Sequence, residues 1–333
     1  MITYRIKGPN GLARGERAEK GSWVDVVDPN AEELALLERQ FGAIPEHLTD
    51  ILDIDEQARI EKEDEYTLLI FRLPVRDAKG EVPYKTMPIG ILLFPDKIIT
   101  VCMADCETLE DLRSGRARGL DIKNKSAFVL HLVGRAAIAY LRYLKEINRS
   151  TASIERELQR SVRNHELTQL LAFEKALVFF TTSLKSNEIL LEKLQASKAM
   201  HFKEDETELL EDVVTDNRQA IEMANIYSDI LSGMMDAFAS VISNNLNVQM
   251  KRLTSISVIL MLSTLVVSAF SMNVDSPFTG KSWAFWAIAG IAGSTSLVGG
   301  LLIRDRRRRK PRTLAAPAAA GLVQAGAHLP RAR

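Results

Sequence analysis

Apolar and polar positions follow three different rhythms along the chain. Glycine, proline and charge crowd residues 1–21, leaving only Ile2–Ile6 with strand character, and Ser22–Val27 reads as a second short strand. Asp28-Pro29-Asn30 ends that strand. Asn30 followed three residues later by Glu33 has capping-box spacing, so a helix is predicted through Leu34, Leu37 and Phe41 to Gly42, with a second short helix after Pro45. From Ala58 to Met103 the pattern turns to strands: Tyr66–Leu73, a turn at Asp77–Gly80, then Met87–Phe94 and Lys97–Met103 flanking Pro95-Asp96 as a hairpin. A helix is predicted over Glu107–Arg118.

After Asn124 the period becomes helical. Between Ser126 and Ala199 there is no proline, and Leu130, Val133, Ala137, Tyr140, Leu141, Leu144, Ile147, Ile154 and Leu158 recur at threes and fours. This predicts one long amphipathic helix with a break near Asn164-His165. A polar turn over Ser197–Asp205 precedes a helix with two seams: Leu210, Ala224, Leu231, Phe238 and Val214, Ile221, Met235, Ile242. No proline interrupts it before Asn273, so one rod from near Glu206 to Asn273 is expected, about 100 Å long at 1.5 Å per residue.

The rod ends in a third pattern. Ile256–Phe270 and Trp283–Ile303 are uncharged, and each reaches the roughly 20 residues that a bilayer crossing needs. The loop between them is too short to hold a domain, so the pair reads as a helical hairpin that crosses once out and once back. Lys251 and Arg252 precede the first span; Arg304, Arg306, Arg307, Arg308, Arg309 and Lys310 follow the second as a basic collar. The positive-inside bias puts both termini in the cytoplasm of a multi-pass protein of the cell (inner) membrane. With no apolar N-terminal signal, the first 245 or so residues are expected inside as well. The alanine-rich tail after Pro311 lacks the means to bury a core and reads as disordered.

Composition changes this picture little. The 333 residues carry 43 Lys plus Arg and 43 Asp plus Glu, so no charge excess points to nucleic acid. Cys102 and Cys106 have no second pair for a zinc site and read as free thiols. The five histidines (His47, His131, His165, His201, His328) are scattered without metal-ligand spacing and read as solvated or satisfied residues. No nucleophile–base constellation, phosphate loop or organic-cofactor motif is present, so an enzyme is not expected.

The chain resembles the CorA-type family of magnesium/cobalt (divalent metal cation) transporters. The resemblance rests on Trp23–Glu33, Asp50–Ile60, Asn244–Thr254 and Phe270-Ser271-Met272-Asn273 ahead of a short loop and a last span with a basic end. Two departures stand out: Ser271 replaces the glycine of the family's Gly-Met-Asn, and Met261 is followed by Leu262 where the family often has proline. The resemblance implies an α+β cytoplasmic domain, a mixed sheet flanked by helices, with a long helical stem and two transmembrane helices in a funnel-shaped homopentamer. Divided accordingly, 1–124 is the α/β domain and 125–204 the long amphipathic region. The stem is 205–273, its pore-lining span starting near 250; 274–282 is the outer loop, 283–303 the second span and 304–333 the basic end and tail.

The implied function is Mg2+ influx, with Co2+ or Ni2+ able to pass, gated by cytoplasmic Mg2+ as both cargo and regulator. Partners would be further copies of the chain, the lipid membrane and divalent cations. Mg2+ holds its waters tightly, so a ring of amide oxygens accepting hydrogen bonds from a hydrated ion suits a pore entrance. The resemblance places Ser271, Met272 and Asn273 at that filter, and Asn247, Met250, Leu253, Ser257, Met261, Thr264 and Ser268 along the pore. Their spacing keeps to one helix face. Asp212 matches a regulatory metal ligand of the family, with Asp77 as a candidate partner. Two other functions fit the same architecture: a Zn2+ transporter, proton-coupled or not, and a membrane-anchored metal sensor or scaffold without flux.

Overall fold

The computed structural model describes residues 1–8, 11–77, 79–114, 121–160, 164–196, 202–272, 281 and 283–308. The chain divides into two compact units, Met1–Ala239 and Ser240–Arg333.

The first unit is built on a seven-stranded sheet. Its strands are β1 (Ile2–Gly8), β2 (Gly11–Gly15), β3 (Trp23–Val27), β4 (Arg59–Lys62), β5 (Thr67–Arg76), β6 (Tyr84–Leu93) and β7 (Ile98–Cys102). They lie in the order β2-β1-β3-β7-β6-β5-β4. Only β3 and β7 run parallel, Trp23 opposite Ile98; every other pair is antiparallel, so the sheet is mixed. β2 is a strand that the sequence pattern does not show: its Gly-Leu-Ala-Arg-Gly run lacks β-branched residues and is carried by pairing with β1.

Pleat alternation sorts the strand residues onto two cores. Leu68, Ile70, Leu92, Ile99 and Val101 join Leu37 and Phe41 of α1 (Ala31–Phe41) and Leu48 and Ile51 of α2 (Pro45–Ile51) on one face. Leu69, Phe71, Leu73, Ile89 and Ile91 face the other way, onto helices α3 (Glu107–Arg113), α4 (Lys125–Arg160), α5 (Asn164–Ala196) and the start of α6 (Glu204–Phe270). The α1 capping box forms as its spacing predicts: Asn30 Oδ1 accepts from the Glu33 amide at 2.8 Å, and Glu33 Oε2 accepts from the Asn30 amide at 3.0 Å. Gly42 ends α1 in the left-handed conformation. Gly90 of β6 lets α2 lie against the sheet, because a Cβ there would stand 2.2 Å from Ile51 Cδ1.

The long helical region departs from expectation. Instead of one helix over 126–199 with a break, α4 and α5 fold back on each other, with Tyr140 edge-on to Phe180 at 5.1 Å between centroids. The stripe on α4 is satisfied by its own continuation: Ile147, Ile154 and Leu158 share a core with Leu170, Leu177 and Leu184 of α5 and with Ala220, Ile221, Ala224, Leu231 and Phe238 of α6. The most apolar 18-residue stretch of α4 has mean hydropathy 1.3, enough for a membrane span by composition, but 61% of that stretch is buried within this core. The predicted helix over Glu107–Arg118 ends at Arg113, and 115–120 lie outside the described residues, as do the tail beyond 308 and 197–201 of the turn expected over Ser197–Asp205, whose last two residues already belong to α6.

The second unit holds the end of α6 and α7 (Ala284–Arg308). α6 is helical over 67 residues without interruption.

Candidate functional site

The described part of α6 beyond Arg252 carries no charged side chain, has mean hydropathy 2.2 and has no fully buried residue in its most apolar stretch. That combination separates it from α4, whose apolar face the protein itself covers. Within the second unit, α6 and α7 touch through small and hydroxylated residues. Ser263 and Ser296 share a hydrogen bond between hydroxyls, and a Cβ at Gly299 would lie 3.7 Å from Ile259 Cγ1. Small residues of this kind let helix backbones approach closely where lipid supplies no hydrophobic drive.

This contact fixes which side of α6 is covered. Ser255, Ile259, Ser263, Val266 and Phe270 are the half-buried positions of the segment. At about 100° per residue they form one stripe, and Leu253, Ser257, Met261, Thr264, Ser268 and Ser271 form another about 160° away. Met250 and Asn247 continue the second stripe. All eight of its residues are exposed, with Met250 and Leu253 at 59% and Met261 at 69%. The structure therefore gathers the residues singled out from sequence onto the face opposite α7.

Their hydroxyls have a defined polarity. Ser257 Oγ donates to the Leu253 carbonyl at 3.1 Å, Thr264 Oγ1 to Leu260 at 2.9 Å and Ser271 Oγ to Ser268 at 2.9 Å. Each proton is spent on the helix's own backbone, so the oxygen lone pairs remain as acceptors. Acceptor oxygens spaced two turns apart along an uncharged face suit the waters of a hydrated cation. Bare Met250, Leu253 and Met261 between them offer no such contact. The tripeptide expected at the filter is described only in part. Ser271 and Met272 follow the last turn of α6 and are exposed; Asn273 lies outside the described residues, as do Arg309 and Lys310 of the collar. Arg304, Arg306, Arg307 and Arg308 fall within α7.

The acidic residues proposed to regulate the protein have different surroundings. Asp212 is exposed on α6, between Leu210 and the buried Val213 and Val214. One turn on, Asp216 is half-buried, and burial first and the Asp212 charge second hold its carboxyl above the usual range. Asp216 was not singled out in the sequence, although its i,i+4 spacing from Asp212 was a signal for it. Asp77, by contrast, is engaged in the β5–β6 loop. Lys85 Nζ lies 2.7 Å from its carboxylate, the Gly80 amide donates at 2.8 Å, and these contacts, led by Lys85, hold its pKa down. Its oxygens tie the hairpin together and are not presented as free ligands.

Both cysteines are buried and unpaired. Burial pushes the Cys106 thiol up to about 11 and the Cys102 thiol higher still. Of the five histidines read as solvated or satisfied surface residues, His201 and His328 lie outside the described residues, and His47 departs from the reading: it is only 8% exposed and is brought by folding to Glu61 and Glu63, a juxtaposition with no trace in linear spacing.

Comparison with known proteins agrees with the architecture. The chain is 25% identical over 274 residues to the "Cobalt/magnesium transport protein CorA" of Methanocaldococcus jannaschii, covering 81% of this chain and 85% of that protein. It is 20% identical over 262 residues to the protein of the same name from Thermotoga maritima, covering 78% and 74%. The solved complete structure of the Methanocaldococcus jannaschii CorA magnesium transporter superposes with a TM-score of 0.76 at 21% identity, over 91% of this chain and 97% of that one. A family model described as "CorA-like Mg2+ transporter protein" matches residues 18–305, and this chain belongs to that family.

Proposed function

We propose that this chain forms a membrane channel for Mg2+, passing Co2+ and Ni2+ as well, by assembling as a homopentamer with α6 lining the axis. One observation carries the reading: the uncharged face from Asn247 to Ser271 is exposed in the monomer and lies opposite the side that α7 covers. An exposed face bearing acceptor oxygens is poorly matched to lipid, and several copies turned inward would give it water and cations to face. Membership in a transporter family and likeness to cobalt/magnesium transport proteins support the cargo. In this reading both termini and the whole first unit are cytoplasmic, and the two spans are the apolar parts of α6 and α7.

Conduction proceeds without stripping the ion. The hydrated cation meets a ring of Asn273 amide oxygens, then the hydroxyl oxygens of Ser271, Ser268, Thr264 and Ser257, each of which accepts from the ion's waters. The rings of Met261, Leu253 and Met250 are the narrow apolar places where the column of water breaks when the pore is shut. Closure is governed by Mg2+ held between subunits with Asp212 and Asp216 among the ligands: two carboxylates one turn apart repel, and a divalent ion removes that repulsion. Asp77 has no part in this, being committed to Lys85.

The test is ion flux into liposomes containing the purified protein, with Mg2+, Co2+, Ni2+ and Zn2+ in turn, with and without a proton gradient. Mg2+ uptake that Asn273→Ala abolishes while the oligomer stays intact is the expected result. Uptake of Zn2+ alone, or no uptake of any ion, would replace this reading with zinc transport or with a sensor lacking a pore.

A further inference from the structure

The first unit holds a group of metal-binding side chains that the transport mechanism does not use. His47 lies in the middle of α2, and Glu61 and Glu63 at the end of the edge strand β4. Two residues apart on extended chain, the two glutamates point to the same side. The Glu63 amide bonds the Tyr66 carbonyl at 2.9 Å, which fixes the strand end. His47 Nε2 stands 3.2 Å from Glu61 Oε2 and 4.0 Å from Glu63 Oε1, and the three ligand atoms fall within 4.8 Å of one another. Ligands on a tetrahedral ion with bonds of about 2.0–2.1 Å are separated by about 3.4 Å, so closing this group needs side-chain rotation only.

What surrounds the three residues is arranged as around a metal. The far nitrogen of the imidazole, Nδ1, is 2.8 Å from the Tyr66 hydroxyl, which itself accepts from the Ile44 amide at 3.1 Å. The Tyr66 ring packs edge-on to the imidazole at 5.9 Å. A histidine ligand is ordinarily oriented by such a partner on its second nitrogen. Arg59 Nε holds the other oxygen of Glu61 at 2.7 Å, which turns Oε2 toward His47. The imidazole is buried while the glutamates are more than a third exposed, so the ion would enter from solvent and meet a fixed nitrogen.

We infer that His47, Glu61 and Glu63 bind a first-row transition ion of the Zn2+ or Co2+ kind, with water completing its shell. Imidazole nitrogen with two carboxylates suits such ions and gives Mg2+, which demands oxygen, no advantage. Binding uses the tautomer in which Nδ1–H donates to the Tyr66 oxygen and Nε2 offers its lone pair to the ion. The site joins α2 to the sheet edge and is independent of whether the chain conducts Mg2+.

The experiment is equilibrium dialysis of the full-length protein in detergent against Zn2+ in the presence of millimolar Mg2+, with bound zinc measured per chain. The wild type is expected to hold one Zn2+ more than Glu63→Gln and His47→Gln. Tyr66→Phe is expected to bind it about 10- to 100-fold more weakly, the usual loss when an outer partner of a histidine ligand is removed. Glu63 is exposed, so its variant keeps the fold even if replacing His47 disturbs α2. Equal zinc in the wild type and Glu63→Gln, or displacement of the ion by Mg2+, overturns the assignment.

Discussion

Replacing Asp216 by asparagine should stabilise the protein when divalent ions are absent. Asp216 is half-buried on α6 one turn from the exposed Asp212, and both desolvation and the neighbouring charge oppose its ionised form. Side chains four apart on a helix sit about 5–6 Å apart at Cβ. Two unit charges at about 6 Å repel by ~0.7 kcal/mol in bulk water and by ~2.8 kcal/mol at an effective dielectric of 20. Because Asp212 faces solvent, the lower end applies, and removing the repulsion is worth about 1 kcal/mol. For a unit of this size that raises the melting temperature by roughly 2–4 °C. The pH dependence has a definite sign. The folded-state pKa of Asp216 is raised above the ordinary aspartate value. The wild type is therefore free of the penalty below that value and acquires it as pH rises through the folded pKa. Thermal melts of the detergent-solubilised protein in chelator should show Asp216→Asn ahead at neutral pH and level with the wild type at about pH 3, where the carboxyl is protonated in both the folded and the unfolded state. Millimolar Mg2+ should narrow the neutral-pH gap by stabilising the wild type. A variant that melts no higher at neutral pH, or whose advantage persists in acid, would refute the account of a strained carboxylate pair.

Two further outcomes follow from the same structure. Asp212→Ala should leave flux intact at low Mg2+ but weaken closure at millimolar Mg2+ in the liposome assay, and unchanged inhibition would remove Asp212 from regulation. Gly90→Ala should cost about 1–3 kcal/mol by pressing a methyl group into Ile51 of α2. Chemical denaturation would show it, and a neutral substitution would mean that α2 sits further from the sheet.

Much of this was legible in the sequence where the signal was local. The Asn30–Glu33 box, the apolar, β-prone run over Tyr66–Leu73 and the seams at Leu210, Ile221, Leu231 and Phe238 each produce their own structure. Features that depend on distant partners were not legible. β2 exists because β1 offers it an edge. The α4–α5 reversal is set by which apolar stripe covers which, and a continuous helical period carries no mark of that choice. His47 meets Glu61 and Glu63 only because α2 packs beside the β4 edge, and Asp77 looked free only because Lys85, eight residues on, reaches it across the hairpin. The residues proposed to line the pore came from the family resemblance and share one helix face by spacing, and Ser263 and Ile259 meeting α7 place that face away from α7.

The central claim is that the Met261 side of α6 faces a water-filled axis and the Ile259 side faces α7. Both native cysteines are buried and their thiols are held protonated, so an introduced cysteine can be read alone. Mg2+ flux through Met261→Cys and Ile259→Cys channels, before and after a charged, membrane-impermeant thiol reagent, is the most direct measurement. Block at position 261 with flux retained at 259 is the expected result; block at 259 alone, or at neither, would contradict the proposed pore.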